Sequence, residues 1–240
     1  MSIHLVGGGS DTEQYASVYG PFLGEAAARA AASGRDEPRI AVITVGDGAG
    51  VTAHGDELAT ALAAAGPVDV LATALARGDL ASLLAVADVD GILVGGGVTP
   101  DYLTALLPIA GEIRRQVSAG IPYLGFSAGA MIAAERALVG GWQIGGVEVS
   151  PADGSEGLDE VTVLPGIGLL DVTVEVHAAQ RGNLSRLIAA TEAGLIEGGL
   201  AIDENSALVI GEGALAVVGS GSVWRVSQAE GGVLVSTFGA

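Results

Sequence analysis

The chain has 240 residues, enough to bury a sizeable core as one large α/β domain or two small ones. Half of the residues are hydrophobic but only 4% are aromatic, so that core is built mainly from Ala, Val, Leu and Ile. A net charge of −18 with 10 basic residues argues against nucleic-acid or anionic-membrane binding, and zero cysteines exclude disulfides, thiolate metal sites and a cysteine nucleophile.

In chain order, Ile3–Val6 reads as a short strand running into Gly7-Gly8-Gly9. Residues Asp11 to Ala32 are Ala-rich and read as a long helix, capped by Ser10 or Asp11 and stopped at Gly34. Arg39–Val45 is a nearly continuous apolar strand. His54–Ala65 reads as a helix closed by Gly66-Pro67, Val68–Ala74 as a strand and Asp79–Ala87 as a short helix. Gly91–Val94 is a strand ending in Gly95-Gly96-Gly97. Asp101–Ser118 reads as a helix interrupted near Pro108, and Ile121–Leu124 as a strand.

Unbroken apolar strands alternating with helices predict a parallel sheet covered on both faces. Ligands in such sheets bind beyond the carboxyl ends of the strands. The turns at Gly7–Gly9, Gly95–Gly97 and Gly125–Gly129 all fall on that edge.

After residue 140 the pattern changes. Residues 140–157 are Gly-rich and irregular, with a short strand or hairpin expected among loops. Glu160–Leu164 and Leu169–Val174 read as extended, and Arg181–Ala193 as helical. Leu200–Asp203, Ala207–Ile210, Ala214–Val218, Ser222–Val226 and Val233–Phe238 read as strands, the last three as antiparallel β. No linker or internal repeat separates domains, so residues 1–240 are expected to form one. No apolar run reaches the ~18 residues of a membrane span, and no basic leader precedes Leu5-Val6; the expectation is a soluble cytoplasmic protein. The apolar C-terminal strands could pair two chains as a homodimer.

The most informative stretch is Gly125-Phe126-Ser127-Ala128-Gly129-Ala130. Gly-x-Ser-x-Gly between a strand and a helix is a nucleophile elbow, a sharp turn that lifts the serine hydroxyl above the sheet edge. The bland alternative for Ser127 is a helix N-cap. The Ala128 N–H, at a helix start, is suited to a developing oxyanion. A serine nucleophile needs a base. Of three histidines, His4 begins the first strand and His54 reads as a surface or capping residue at a helix start. His177 follows an extended segment, at the edge where Ser127 emerges, and is the base by elimination. Spacing does not choose the acid: Asp171, Glu175, Asp203 and Glu204 all lie near strand ends. Asp203 and Glu204, being adjacent on an extended segment, point to opposite faces.

Four segments occur in order: Gly95-Gly96-Gly97-Val98-Thr99, the elbow, His177 with residues 180–187, and residues 201–208. With the N-terminal Leu5 to Gly9 run, this arrangement resembles the S51 serine peptidases, the cyanophycinase and dipeptidase E family. The resemblance spans roughly Ile3 to Ile210. It implies a three-layer α/β sandwich with a mainly parallel central sheet, like class I glutamine amidotransferases, and a C-terminal antiparallel β extension. It implies Ser127 as nucleophile, His177 as base and Glu204 as the third member, with an oxyanion amide from Gly96 or Gly97 beside that of Ala128. It implies a small peptide substrate carrying a carboxylate, with an aspartyl α- or β-carbonyl at the scissile bond. Thr99, Arg181, Asn183 and Arg186 fall where the family reads substrate. Neither a metal nor an organic cofactor is implied.

Two departures concern specificity. Asn183 stands where the cyanophycinase branch has the middle arginine of an arginine-rich run, and Val98 or Thr99 replaces a glutamine. They leave open a binding or regulatory protein with the same shell; acyl transfer to an amine is a further reading, since it shares the acyl-enzyme with hydrolysis.

Overall fold

The computed structural model describes residues 1–211 and 213–239. A seven-stranded sheet carries the architecture. Five strands are parallel: β1 (Ile3–Val6), β2 (Arg39–Gly46), β3 (Asp69–Ala76), β4 (Gly91–Val94) and β5 (Tyr123–Phe126). They lie in the order β1-β5-β4-β2-β3, and the Ser206–Ile210 strand runs antiparallel on the outer side of β1, followed by Ala216–Gly219.

The inner strands are apolar on both faces because both faces are covered. Ile3 and Leu5 of β1, with Ile43 of β2, pack against Tyr102, Ile113 and Met131 on one side. Val6, Ile40 and Val42 pack against Phe22 and Leu62 on the other. The period of two along each strand divides these sets between two helical layers.

A second sheet of four strands combines the parallel pair Thr173–Val176 and Gly198–Ile202 with the antiparallel Ser222–Ala229 and Gly232–Gly239. Leu187 and Ala190 of the Leu184–Glu192 helix cover it, packing with Ala201 and Val226. The antiparallel extension is therefore shared: Ala216–Gly219 borders the large sheet and the last two strands complete the small one. Between them, Gln143–Ile144 and Val147–Glu148 form the short hairpin expected in the Gly-rich stretch.

Several expected boundaries move. The helix before β3 spans Gly48–Ala65, starting before His54, because burial of Leu58, Ala61 and Leu62 outweighs the weak propensity of Gly48 and Gly50. The helix expected over Asp79–Ala87 is only a 3-10 turn at Leu83–Val86. Just Ala85 and Val86 of that turn are buried, too little to support a longer helix. The Asp101–Ser118 helix is divided at Pro108 into Thr99–Leu106, a 3-10 turn and Ala110–Ser118. The extended segment before His177 is Thr173–Val176, later than expected. Among the described residues, no helix is long and apolar enough to cross a membrane.

His4 lies wholly inside, edge-on to Phe22 with ring centroids 5.7 Å apart, and its Nδ1 has no partner among the described residues. Burial holds its pKa below the ordinary 6.5, against the opposing pull of Glu25. The unfolded chain therefore binds this proton more readily. The resulting stabilisation is complete above pH 6.5 and is lost as pH falls from there toward the depressed folded value. Urea midpoints measured between pH 7 and pH 5 should fall less in His4→Leu than in the wild type; parallel profiles would show that His4 contributes nothing to the dependence.

Candidate active site

The three central strands β1, β5 and β4 bring their glycine-rich turns together. Ser127 N–H donates to Val6 O at 2.9 Å and Gly129 N–H to Gly95 O at 3.0 Å, so the elbow is fastened to both neighbours. Ser127 sits at φ +50°, ψ −107°, in a region that a serine occupies only when its surroundings enforce it. The flanking glycines supply the room. A Cβ at Gly125 would lie 2.4 Å from Gly129 O, and one at Gly129 would lie 2.3 Å from Val94 O.

Ser127 Oγ is 2.8 Å from His177 Nε2, and His177 Nδ1 is 2.6 Å from Glu204 Oε1. A carboxylate acceptor at Nδ1 sets the tautomer with hydrogen there and a lone pair at Nε2 facing the serine. His177 follows the Thr173–Val176 strand and Glu204 follows the Gly198–Ile202 strand. The dyad thus comes from the second sheet and the serine from the first. Their junction is the Gly7–Gly9 turn: His177 N–H donates to Gly7 O at 3.1 Å and Asn205 N–H to Gly8 O at 2.8 Å, while Gly7 N–H donates to Ser206 O at 3.0 Å within the large sheet. A Cβ at Gly8 would meet His177 Cε1 at 2.2 Å, so the imidazole rests directly on that glycine.

The other carboxylates near strand ends are placed elsewhere. Asp203 is buried, its Oδ1 accepting from Ala179 N–H and Trp224 Nε1 and its Oδ2 from Ser222 N–H. Its partners differ from those of Glu204 because the strand expected to extend through them ends at Ile202 and Glu204 already lies in a turn. Glu175 is paired with Arg186, and Asp171 is exposed.

Burial, followed by the nearby Arg181 cation, lowers the His177 pKa below 6.5, and the hydrogen bond to Glu204 opposes both. A neutral imidazole, able to take a proton, is favoured down to mildly acidic pH.

Ser127 opens into a cavity of about 720 Å³ that His54, Glu57, Gly97, Val98, Glu156 and Arg181 help to line. Arg181 is half exposed, 3.8 Å from Glu204 Oε1. Glu156, which the sequence did not single out, reaches the wall from a left-handed backbone at φ +57° and accepts the Thr99 N–H at 3.1 Å. Burial raises its pKa. Gly96 also lines the cavity, and Ala128, the first residue of the short Ala128–Met131 helix, has no intrahelical acceptor for its N–H.

Three residues expected to read substrate are not brought to the cavity. Arg186 is fully buried: Nε and Nη2 hold Glu175 at 2.7 and 2.9 Å, and Nη1 donates to Gly141 O and Gly154 O. Its helix begins at Leu184, which puts Arg186 on the inward stripe with Leu187 and Ala190. Asn183 precedes that helix with its side chain turned inward, Nδ2 donating to Val176 O at 3.1 Å. Thr99 starts its own helix and buries its hydroxyl against Met131 Sδ at 3.6 Å. His54, read as a surface residue, instead reaches the site: its Nε2 accepts the Gly96 N–H at 3.1 Å. The signal was its place after β2, a neighbour of β4, on the edge where the glycine turns open.

Among the described residues, no group of three or more His, Cys, Asp or Glu is placed to hold a metal. Comparison with known proteins gives a consistent picture. The description of peptidase family S51 matches residues 57–218, more than half of the chain. A cyanophycinase from Synechococcus elongatus is 36% identical over 139 residues, a stretch that is 55% of this chain and 40% of that relative. The chain therefore spans less than two thirds of that curated relative's length. A peptidase E from Shewanella denitrificans is 50% identical over 50 residues, 20% of this chain and 21% of that one. The crystal structure of a peptidase from an acI-B1 actinobacterium superposes with a TM-score of 0.62 at 19% identity, covering 100% of this chain and 94% of the other, which is a likeness of fold.

The position of Arg186 has a measurable consequence. Arg186→Met leaves the Glu175 carboxylate buried and unpaired, and should destabilise the chain by ~3–5 kcal/mol in urea denaturation. A variant of unchanged stability with only a weakened KM would return Arg186 to the substrate.

Proposed function

The chain belongs to peptidase family S51, and on that premise we propose that it is a serine peptidase that cleaves small aspartyl or β-aspartyl peptides through an acyl-enzyme. The observation that carries the reading is the succession Ser127 Oγ, His177 Nε2, His177 Nδ1, Glu204 Oε1, with separations of 2.8 and 2.6 Å, at a strained elbow facing a cavity.

His177 takes the Ser127 proton as Oγ attacks the amide carbonyl. The Ala128 N–H and an amide of the Gly95–Gly97 turn stabilise the oxyanion. His177 then protonates the leaving amine, and the same nitrogen later removes a proton from the water that releases the acid. Glu204 holds the tautomer and stabilises the imidazolium. Arg181, half exposed on the cavity, pairs with a substrate carboxylate. The aspartyl preference is supported by the resemblance to cyanophycinase and peptidase E and by this cation. With Arg186 and Asn183 turned inward and Val98 on the wall, the recognition expected of the arginine-rich run falls to Arg181.

Against a panel of Asp-X and β-Asp-X dipeptides, Ser127→Ala should reduce kcat/KM by about 10⁴-fold or more and Glu204→Gln by about 10²- to 10⁴-fold. Equal turnover by the Ser127→Ala variant would remove the serine mechanism; a wild type that binds but never turns over would favour a regulatory role.

The pH profile offers an independent check. A cation beside an imidazole disfavours its protonated form, so removing Arg181 raises the His177 pKa. The acid limb of kcat/KM should therefore shift to higher pH in Arg181→Gln. A shift to lower pH would contradict this placement of the cation.

A further inference from the structure

Beside Ala128, the proposed chemistry needs a second oxyanion donor, and two successive amides, Gly96 and Gly97, are available to it. The first is already committed, because Gly96 N–H donates to His54 Nε2 at 3.1 Å. The carbonyl of the same residue is committed too. It accepts the Tyr102 hydroxyl at 2.8 Å. Tyr102 is fully buried, and burial pushes its pKa up to about 12, so the phenol remains a donor across the neutral range.

The peptide joining Gly96 to Gly97 is trans, and a trans peptide points its N–H away from its C=O. With the Gly96 carbonyl drawn to Tyr102 in the interior, the Gly97 N–H points the other way, toward the cavity that Gly97 and Ser127 both line. Close packing holds the turn there: a Cβ at Gly96 would lie 3.0 Å from Ser127 Cβ, and one at Gly97 would lie 3.0 Å from the Tyr102 ring.

His54 is half-buried on the Gly48–Ala65 helix, its ring tilted against Phe126 with centroids 5.7 Å apart. Its Nδ1 lies 3.4 Å from Glu57 Oε2, one turn further on. A proton on Nδ1 leaves the Nε2 lone pair for Gly96. One imidazole thus touches both the residue before the nucleophile and the glycine turn opposite it.

We infer that Gly97, rather than Gly96, supplies the second oxyanion amide, and that Tyr102 and His54 are positioning residues: Tyr102 fixes the Gly96–Gly97 peptide through its carbonyl, and His54 fixes the preceding Gly95–Gly96 peptide through its N–H. This assignment rests on the serine-peptidase reading above and gives it a residue-level requirement outside the Ser-His-Glu series.

The test is the second-order rate at which an alkyl fluorophosphonate modifies Ser127, since its phosphoryl oxygen occupies the oxyanion position. His54→Phe keeps a ring against Phe126 but removes the acceptor, and should react about 10- to 100-fold more slowly. His54→Gln, whose amide oxygen can reach the place of Nε2, should recover to within about threefold of the wild type. Tyr102→Phe should slow the reaction as His54→Phe does, and thermal melting identifies any variant that is merely unfolded. A folded His54→Phe that reacts at the wild-type rate would overturn the assignment. A faster one would show that His54 blocks the hole, and a folded His54→Gln as slow as His54→Phe would show that the acceptor is immaterial. A wild type that is never modified would remove the serine reading and this inference with it; a modified wild type with unchanged variants would remove this inference alone.

Discussion

The backbone hydrogen bonds across the Gly7–Gly9 turn hold the site together. Ser127 belongs to the large sheet, whereas His177 and Glu204 hang from the ends of two strands in the small one. Bonds from His177 to Gly7 and from Asn205 to Gly8 fasten the small sheet's strand ends to the end of β1, where the bond from Gly7 to Ser206 continues the large sheet. Backbone bonds in a packed interior have little freedom to slide, so the serine-to-imidazole distance is set by secondary structure and not by a mobile side chain. The absence of a Cβ at Gly8 is part of the same device, because the imidazole occupies that space.

Strain and burial are then placed where chemistry can use them. Ser127 and His177 both have left-handed backbones, at φ +50° and +54°. Each such residue costs on the order of 1–3 kcal/mol, and the well-packed surroundings of β1, β4 and β5 sustain that cost. The fully buried Glu175–Arg186 pair does a different job. Glu175 lies two residues before His177, and Arg186 holds the carbonyls of Gly141 and Gly154. The loop that carries Glu156 to the cavity is thereby tied to the strand that leads into His177.

The elbow, the parallel sheet and the convergence of three glycine turns were legible in the sequence because each follows from a local pattern: apolar runs, glycine spacing and a serine at a strand-helix junction. The different partners of Asp203 and Glu204 arise otherwise than expected, because the strand ends at Ile202 and Glu204 leaves it in a turn. The roles of Arg186, Asn183 and Thr99 were not legible, because they depend on where a helix begins. Each residue along a helix turns the side chain by about 100°, enough to separate solvent from the inward stripe, and helix starts are the least determinate feature of a sequence. His54 was hidden by a similar error, since its helix starts earlier than its glycines suggested, and its partner is an amide on a loop far away in sequence.

In the proposed chemistry Ser127 is the covalent nucleophile and His177 activates it. Peptide mapping of the full chain after exposure to excess alkyl fluorophosphonate measures this most directly. One adduct per chain is expected, on Ser127, and none in a folded His177→Ala variant. Labelling at another residue, or equal labelling of Ser127 without His177, would contradict it.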